Sequence, residues 1–173
     1  MISLTKIDPS EYLEQSPPNE GMVMRFRYRP DKARFDLVFD FAAEAISEAF
    51  AQWPRLPDPP PPIDMRWLRF CNVTKFQCTQ GTPEGVDSWG EYERKIRSPG
   101  HLILDAVIER CSSGFRCDIW LDTFGKHSFF FDSALAARRL VYAKKRQSNW
   151  DYFDTETHEP VDFFNPFPEI DDD

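Results

Sequence analysis

The side chains in this sequence equipped for chemistry are few: His101, His127 and His158, the thiols of Cys71, Cys78, Cys111 and Cys117, and scattered carboxylates. One arrangement has acid–base character. A two-residue turn at Phe124-Gly125 sets His127 opposite Asp122 on a hairpin, and a carboxylate beside an imidazole is half of an acid–base device. The pattern supplies that base with no nucleophile, because Cys117 falls opposite Asp132 in the same register. A small hydrolase-type enzyme with a site near Asp122 and His127 is therefore the alternative reading. The preferred one assigns no catalytic residue.

The cysteines are spaced C-x6-C and C-x5-C, wider than the two to four residues within a structural zinc pair. They read as reduced thiols in or beside strands. A five-residue loop over residues 112–116 would set Cys111 opposite Cys117 and Arg110 opposite Asp118, a favourable cross-strand pair. A two-residue loop at Ser113-Gly114 would instead oppose Glu109 to Asp118. No calcium loop, P-loop, dinucleotide fingerprint, nucleophile elbow or zinc-protease motif occurs, so no metal site and no cofactor is expected.

Charge is distributed unevenly. From Asn149 to Asp173 there are nine carboxylates and no lysine or arginine, whereas the rest of the chain carries 21 basic and 20 acidic groups. The net charge of −8 thus belongs to the tail. Such asymmetry marks an interaction segment suited to a basic protein partner. The residues expected to meet that partner are Asp151, Asp154, Glu156, Glu159, Asp162, Asp171, Asp172 and Asp173. The same acidity argues against nucleic acid as a partner. Trp150, Tyr152, Phe153, Phe163, Phe164 and Phe167 make the tail too aromatic for a solvated linker.

The elements that must position these groups show themselves by periodicity. Residues 101–132 read as a three-stranded antiparallel meander, apolar on alternate positions with glycine at both reversals. Met22–Arg29 and Phe35–Phe41 alternate around Pro30-Asp31-Lys32 and form a hairpin whose outward arginines and aspartates can pair. Ile63–Cys78 is strand-like, with a bulge expected near Cys71-Asn72. Asp8-Pro9-Ser10-Glu11 begins a short helix. Helical composition and spacing predict further helices at Ala42–Trp53 and Ser133–Gln147. The proline run 57–62 reads as a stiff extended connector, and Thr79–Gly100 as a long irregular segment with a short helix at Tyr92–Ile96.

The order of a hairpin like RFRYRPDKARFDLVFDF, a strand of the type WLRFCNVTKF, an Ile/Leu-rich strand and a final hairpin resembles small α+β immunity proteins. These, and related uncharacterised domains, accompany bacterial polymorphic toxins. The resemblance covers roughly residues 22–131. It implies a cytoplasmic, non-enzymatic inhibitor whose basic partner would be a cognate toxin.

The expected fold is a single α+β domain over residues 1–148. One antiparallel sheet of about six strands (hairpin, long strand, three-stranded meander) carries helices packed on it. Residues 149–173 form an acidic, aromatic tail lying on the domain up to about residue 167. Apolar groups are expected on both faces of the meander, so each face needs a cover, and a homodimer is one way to supply it. No apolar run approaches the ~20 residues of a membrane helix, and no signal peptide is visible, which places the expected protein in the cytoplasm and off the membrane.

Overall fold

The computed structural model describes residues 2–15, 17–18, 21–40, 62–81, 84–97, 101–146 and 149–170. The expected helix at 42–53 and all but the end of the proline run lie outside the described residues. Strands make up 56% of the structure and helices 15%. The fold is therefore mostly β. The α+β expectation of one sheet with packed helices is overturned by two antiparallel sheets, the larger of them curled.

The strands are β1 (Thr5–Ile7), β2 (Val23–Arg29), β3 (Arg34–Asp40), β4 (Ile63–Cys71), β5 (Thr74–Cys78), β6 (Ile103–Arg110), β7 (Phe115–Leu121), β8 (Gly125–Phe131), β9 (Ser133–Arg146), β10 (Asn149–Asp154) and β11 (Pro160–Val161). Two helices, α1 (Pro9–Gln15) and α2 (Gly85–Arg97), are described. The first sheet runs β11-β10-β9-β4-β3-β2, with β1 also paired to β9; the second runs β5-β8-β7-β6. As the cap pattern predicts, α1 opens with the Asp8 carboxylate accepting the amides of Ser10 and Glu11.

The chain changes sheets at Asn72, whose φ of 56° turns it between β4 and β5. The irregularity expected near Cys71-Asn72 is this corner. Phe26, Phe35, Leu37 and Phe70 from the first sheet face Phe76, Cys117, Ile119, Phe129 and Phe131 from the second, forming the main core. Trp89 and Ile96 of α2 join that core. The irregular segment expected at 79–100 is thus largely a 13-residue helix.

A second apolar cluster covers the outer face of the first sheet. Met24, Val38, Met65, Trp67, Ala137 and Val141 are buried there with Phe167, and Ile2, Leu4, Phe163 and Ile170 pack against them. Asn165 Oδ1 accepts a hydrogen bond from Arg25 at 3.2 Å. Arg139 donates to the Pro166 carbonyl and pairs with Glu169 and, at 3.1 Å, with Asp154.

The helix expected at 133–147 is β9, the longest strand. Its alanines favour helix in isolation, but their position beside large side chains decides otherwise. Ala134 pairs with Phe70, Ala136 with Leu68 and Ala137 with Trp67, so the small residues make room for the large ones.

Candidate functional site

The hairpin loop between β7 and β8 decides the fate of Asp122 and His127. It holds three residues, Asp122 to Phe124, and closes on Gly125 in the left-handed region at φ 67°. The expected two-residue turn is one residue too short. Because side chains alternate with a period of two, that difference moves every facing residue to the other side of the sheet. His127 accordingly pairs with Ile119, and the expected Asp122–His127 pair is not formed.

Asp122 instead meets His101, with Nδ1 and Oδ1 3.0 Å apart, at the seam where Met22 and Leu102 bridge the two sheets. The ring of Phe124 stands edge-on to His101 at 4.7 Å. His127 is wholly buried and hydrogen-bonded through Nε2 to the Tyr92 hydroxyl at 2.7 Å. Burial pulls its pKa down to about 4, although the carbonyls of Ile119 and Gly125 act in the opposite sense. Burial and the neighbouring Cys78 push the Tyr92 hydroxyl up. The Phe26 ring lies 4.8 Å from the imidazole. An uncharged histidine enclosed in this way positions Tyr92 and has no exposed face for a substrate. The Tyr92–His127 link was not legible in the sequence, because it joins a helix to a strand 35 residues away.

The β6–β7 hairpin also departs from both expected registers. Ile108 faces Cys117, Glu109 faces Arg116 and Arg110 faces Phe115, leaving Cys111 inside the loop. Cys117 is buried, and all four cysteines are free thiols. Among the described residues no group of three or more His, Cys, Asp or Glu is placed to hold a metal, and no helix is long and apolar enough to cross a membrane.

The meander's apolar residues share one face more fully than expected. Phe115, Cys117, Ile119, Leu121, Phe129 and Phe131 all point into the core. Trp120 and Phe130 lie on the opposite face, half-buried, with the ammonium groups of Lys126 and Lys75 about 5 Å from their rings. Asp118 on that face bonds Lys126 at 2.8 Å and Arg116 at 3.2 Å; partial burial would raise its pKa, but Lys126, Ser128 and Arg116 hold it low. The face is mixed: Val107, in register with Asp118, is exposed on it, and Leu104 of the same strand is also exposed.

The acidic residues divide into two groups. Asp154 is buried, accepts the amides of Glu156 and Thr157 at 2.8 and 2.9 Å, and pairs with Arg139. Partial burial works against its charge, yet those amides and the guanidinium keep its pKa low. Its carboxylate is used internally. Asp151 is half-buried, in register with Lys144 on β9. Glu156, Glu159 and Asp162 are exposed along the β10–β11 turn and just beyond it. Asp171, Asp172 and Asp173 lie outside the described residues. Beside the exposed group runs a groove of about 500 Å3, lined by Trp150, Tyr152, Val161, Asp162, Phe163 and Phe164 among others. Phe164 is 56% exposed there, the most exposed large apolar residue described.

No family model matches the chain, and no match was found among curated proteins or solved structures.

Proposed function

We propose that the protein is a non-enzymatic binding protein, and that the groove beside β10 and β11 receives a basic segment of a partner protein. The observation that carries this reading is the exposed Phe164 ring beside Asp162, at the mouth of a groove with aromatic walls. Carboxylates attract lysine and arginine, and ring faces hold their cationic groups and stems. Strand addition suits this edge poorly. The β11 strand has two residues, and Pro160 lacks an N–H, which is how natural sheets blunt an exposed edge. Recognition by side chains is the better fit. A toxin with a basic active-site cleft would be one such partner, and the protein would then be its immunity-like inhibitor.

Fluorescence anisotropy of a labelled arginine-rich peptide tests the groove. Saturable binding at low ionic strength is expected, weakened about tenfold by Phe164→Ala combined with Asp162→Lys. Equal affinity for the variant, or for an acidic peptide of the same length, would reject the groove as the binding surface.

A further inference from the structure

At the opposite edge of the first sheet, the charge reverses. Along the curled sheet, five spacings of about 4.8 Å separate β2 from β11, a path of about 24 Å. There a cavity of about 680 Å3 opens between β2 and the C-terminal half of α2. Its walls carry Arg27, Arg29, Arg94 and Arg97 with one lining carboxylate, that of Glu93, while Arg29 pairs with Asp31 at 3.4 Å beside it. Both Glu93 oxygens accept from Arg27 Nε, at 2.9 and 3.2 Å, so this carboxylate is already engaged.

We propose that this cavity binds a small ligand bearing two or more phosphate groups. The helix dipole favours positive side chains in the last turn of α2, but it does not explain their convergence with the arginines of β2. Lys95, in the same turn, pairs with Glu91 at 3.1 Å. Arg94 and Arg97 make no ion pair among the described residues and are exposed. Guanidinium groups brought together repel one another unless an anion lies between them, and their planar forks match phosphate oxygens in bidentate fashion.

Gly90 carries the argument further. It sits inside α2, where glycine destabilises a helix relative to alanine. A Cβ there would meet no atom within 4 Å, so packing does not require the glycine. Its place on the cavity wall keeps that wall open. The volume exceeds what one phosphate fills and falls in the range of small-molecule sites. The Tyr28 ring, also on the wall, is already packed by two aromatic neighbours, stacked on Phe76 with centroids 4.4 Å apart and edge-on to Trp89 at 4.9 Å. A ligand read by its phosphates suits the site best. A long polyanion would extend toward the acidic edge of a chain whose net charge is −8.

Isothermal titration calorimetry on the full chain, with inorganic tripolyphosphate, orthophosphate and a short single-stranded oligonucleotide as separate titrants, tests the proposal. Tripolyphosphate is expected to bind at low ionic strength at least about tenfold more tightly than orthophosphate. The double variant Arg94→Ala/Arg97→Ala should lose at least about tenfold in that affinity. Gly90→Leu should abolish binding while leaving the melting temperature equal or higher, since the new side chain enters open space. Three results would overturn the proposal: no saturable heat with tripolyphosphate, full affinity in Gly90→Leu, or an oligonucleotide binding tenfold more tightly than tripolyphosphate.

Discussion

The Phe167 ring stands edge-on to the buried Trp67 indole, with centroids 5.8 Å apart and planes 69° to each other. Trp67 also donates its indole N–H to Asp36 at 2.9 Å, beneath the guanidinium of Arg25 at 4.7 Å. The acidic tail is thus fastened to the sheet by an aromatic contact at the centre of the second apolar cluster, with Arg25 and Arg139 holding the chain on either side.

Phe167→Ala should therefore destabilise the protein by about 3–5 kcal/mol, the usual cost of emptying a buried phenylalanine site. Chemical denaturation gives the value, and near-ultraviolet circular dichroism should lose the signal of an ordered Trp67. Arg139→Ala should make the segment after residue 162 sensitive to protease while the main core stays protected, read by limited proteolysis with mass spectrometry.

His127 predicts a pH dependence. Its folded pKa of about 4 lies below the ordinary 6.5, so the unfolded chain binds a proton more readily. The contribution is fully present above pH 6.5 and is lost as pH falls toward 4, a change of about 3 kcal/mol. Comparing denaturation midpoints of the wild type and His127→Gln across this window should show a flatter profile in the variant.

Asp40 predicts the reverse. Burial raises its pKa to about 6, although the amides of Met22 and of Asp40 itself favour the charged form. Its Oδ1 accepts the Met22 N–H at 2.7 Å, a bond that the asparagine carbonyl can keep. A charged Asp40 weakens the fold at neutral pH, and protonation relieves it between pH 6 and 3.8. Asp40→Asn should stabilise by about 1–3 kcal/mol at pH 7 and by little at pH 4, measured by thermal melts at the two values.

The alanines of β9 supply a fifth test. Ala137→Leu would raise helix content in an isolated peptide scarcely at all, yet in the protein it crowds the position paired with Trp67. Overpacking should lower stability by about 1–3 kcal/mol.

These residues also show where reading the sequence succeeds and stops. The α1 cap, the β2–β3 hairpin and the three meander strands follow from local alternation and turn chemistry, and all are present. The side on which each meander residue falls depends on loop length alone. Phe124-Gly125 is a plausible turn, but the loop begins at Asp122, and the added residue reversed the facing of His127. In β9 the local preference for helix is real and is overridden by Trp67 and Phe70, which are remote in sequence. In α2 the spacing of Trp89, Tyr92 and Ile96 already marks a helical face, longer than the stretch at 92–96 suggested. The arginine cavity could not be foreseen, because it needs β2 and α2 side by side.

The second apolar cluster has a consequence for the order of events during synthesis. Phe167 leaves the ribosome about 100 residues after Trp67, which at 5–20 residues per second is a delay of about 5–20 s. Throughout that interval the outer face of β3 and β4 lacks its final cover, although the strands that form it already exist. Nascent chains of this protein should therefore depend on chaperone shielding late in translation, and release before residue 167 should turn an otherwise foldable chain into an aggregating one.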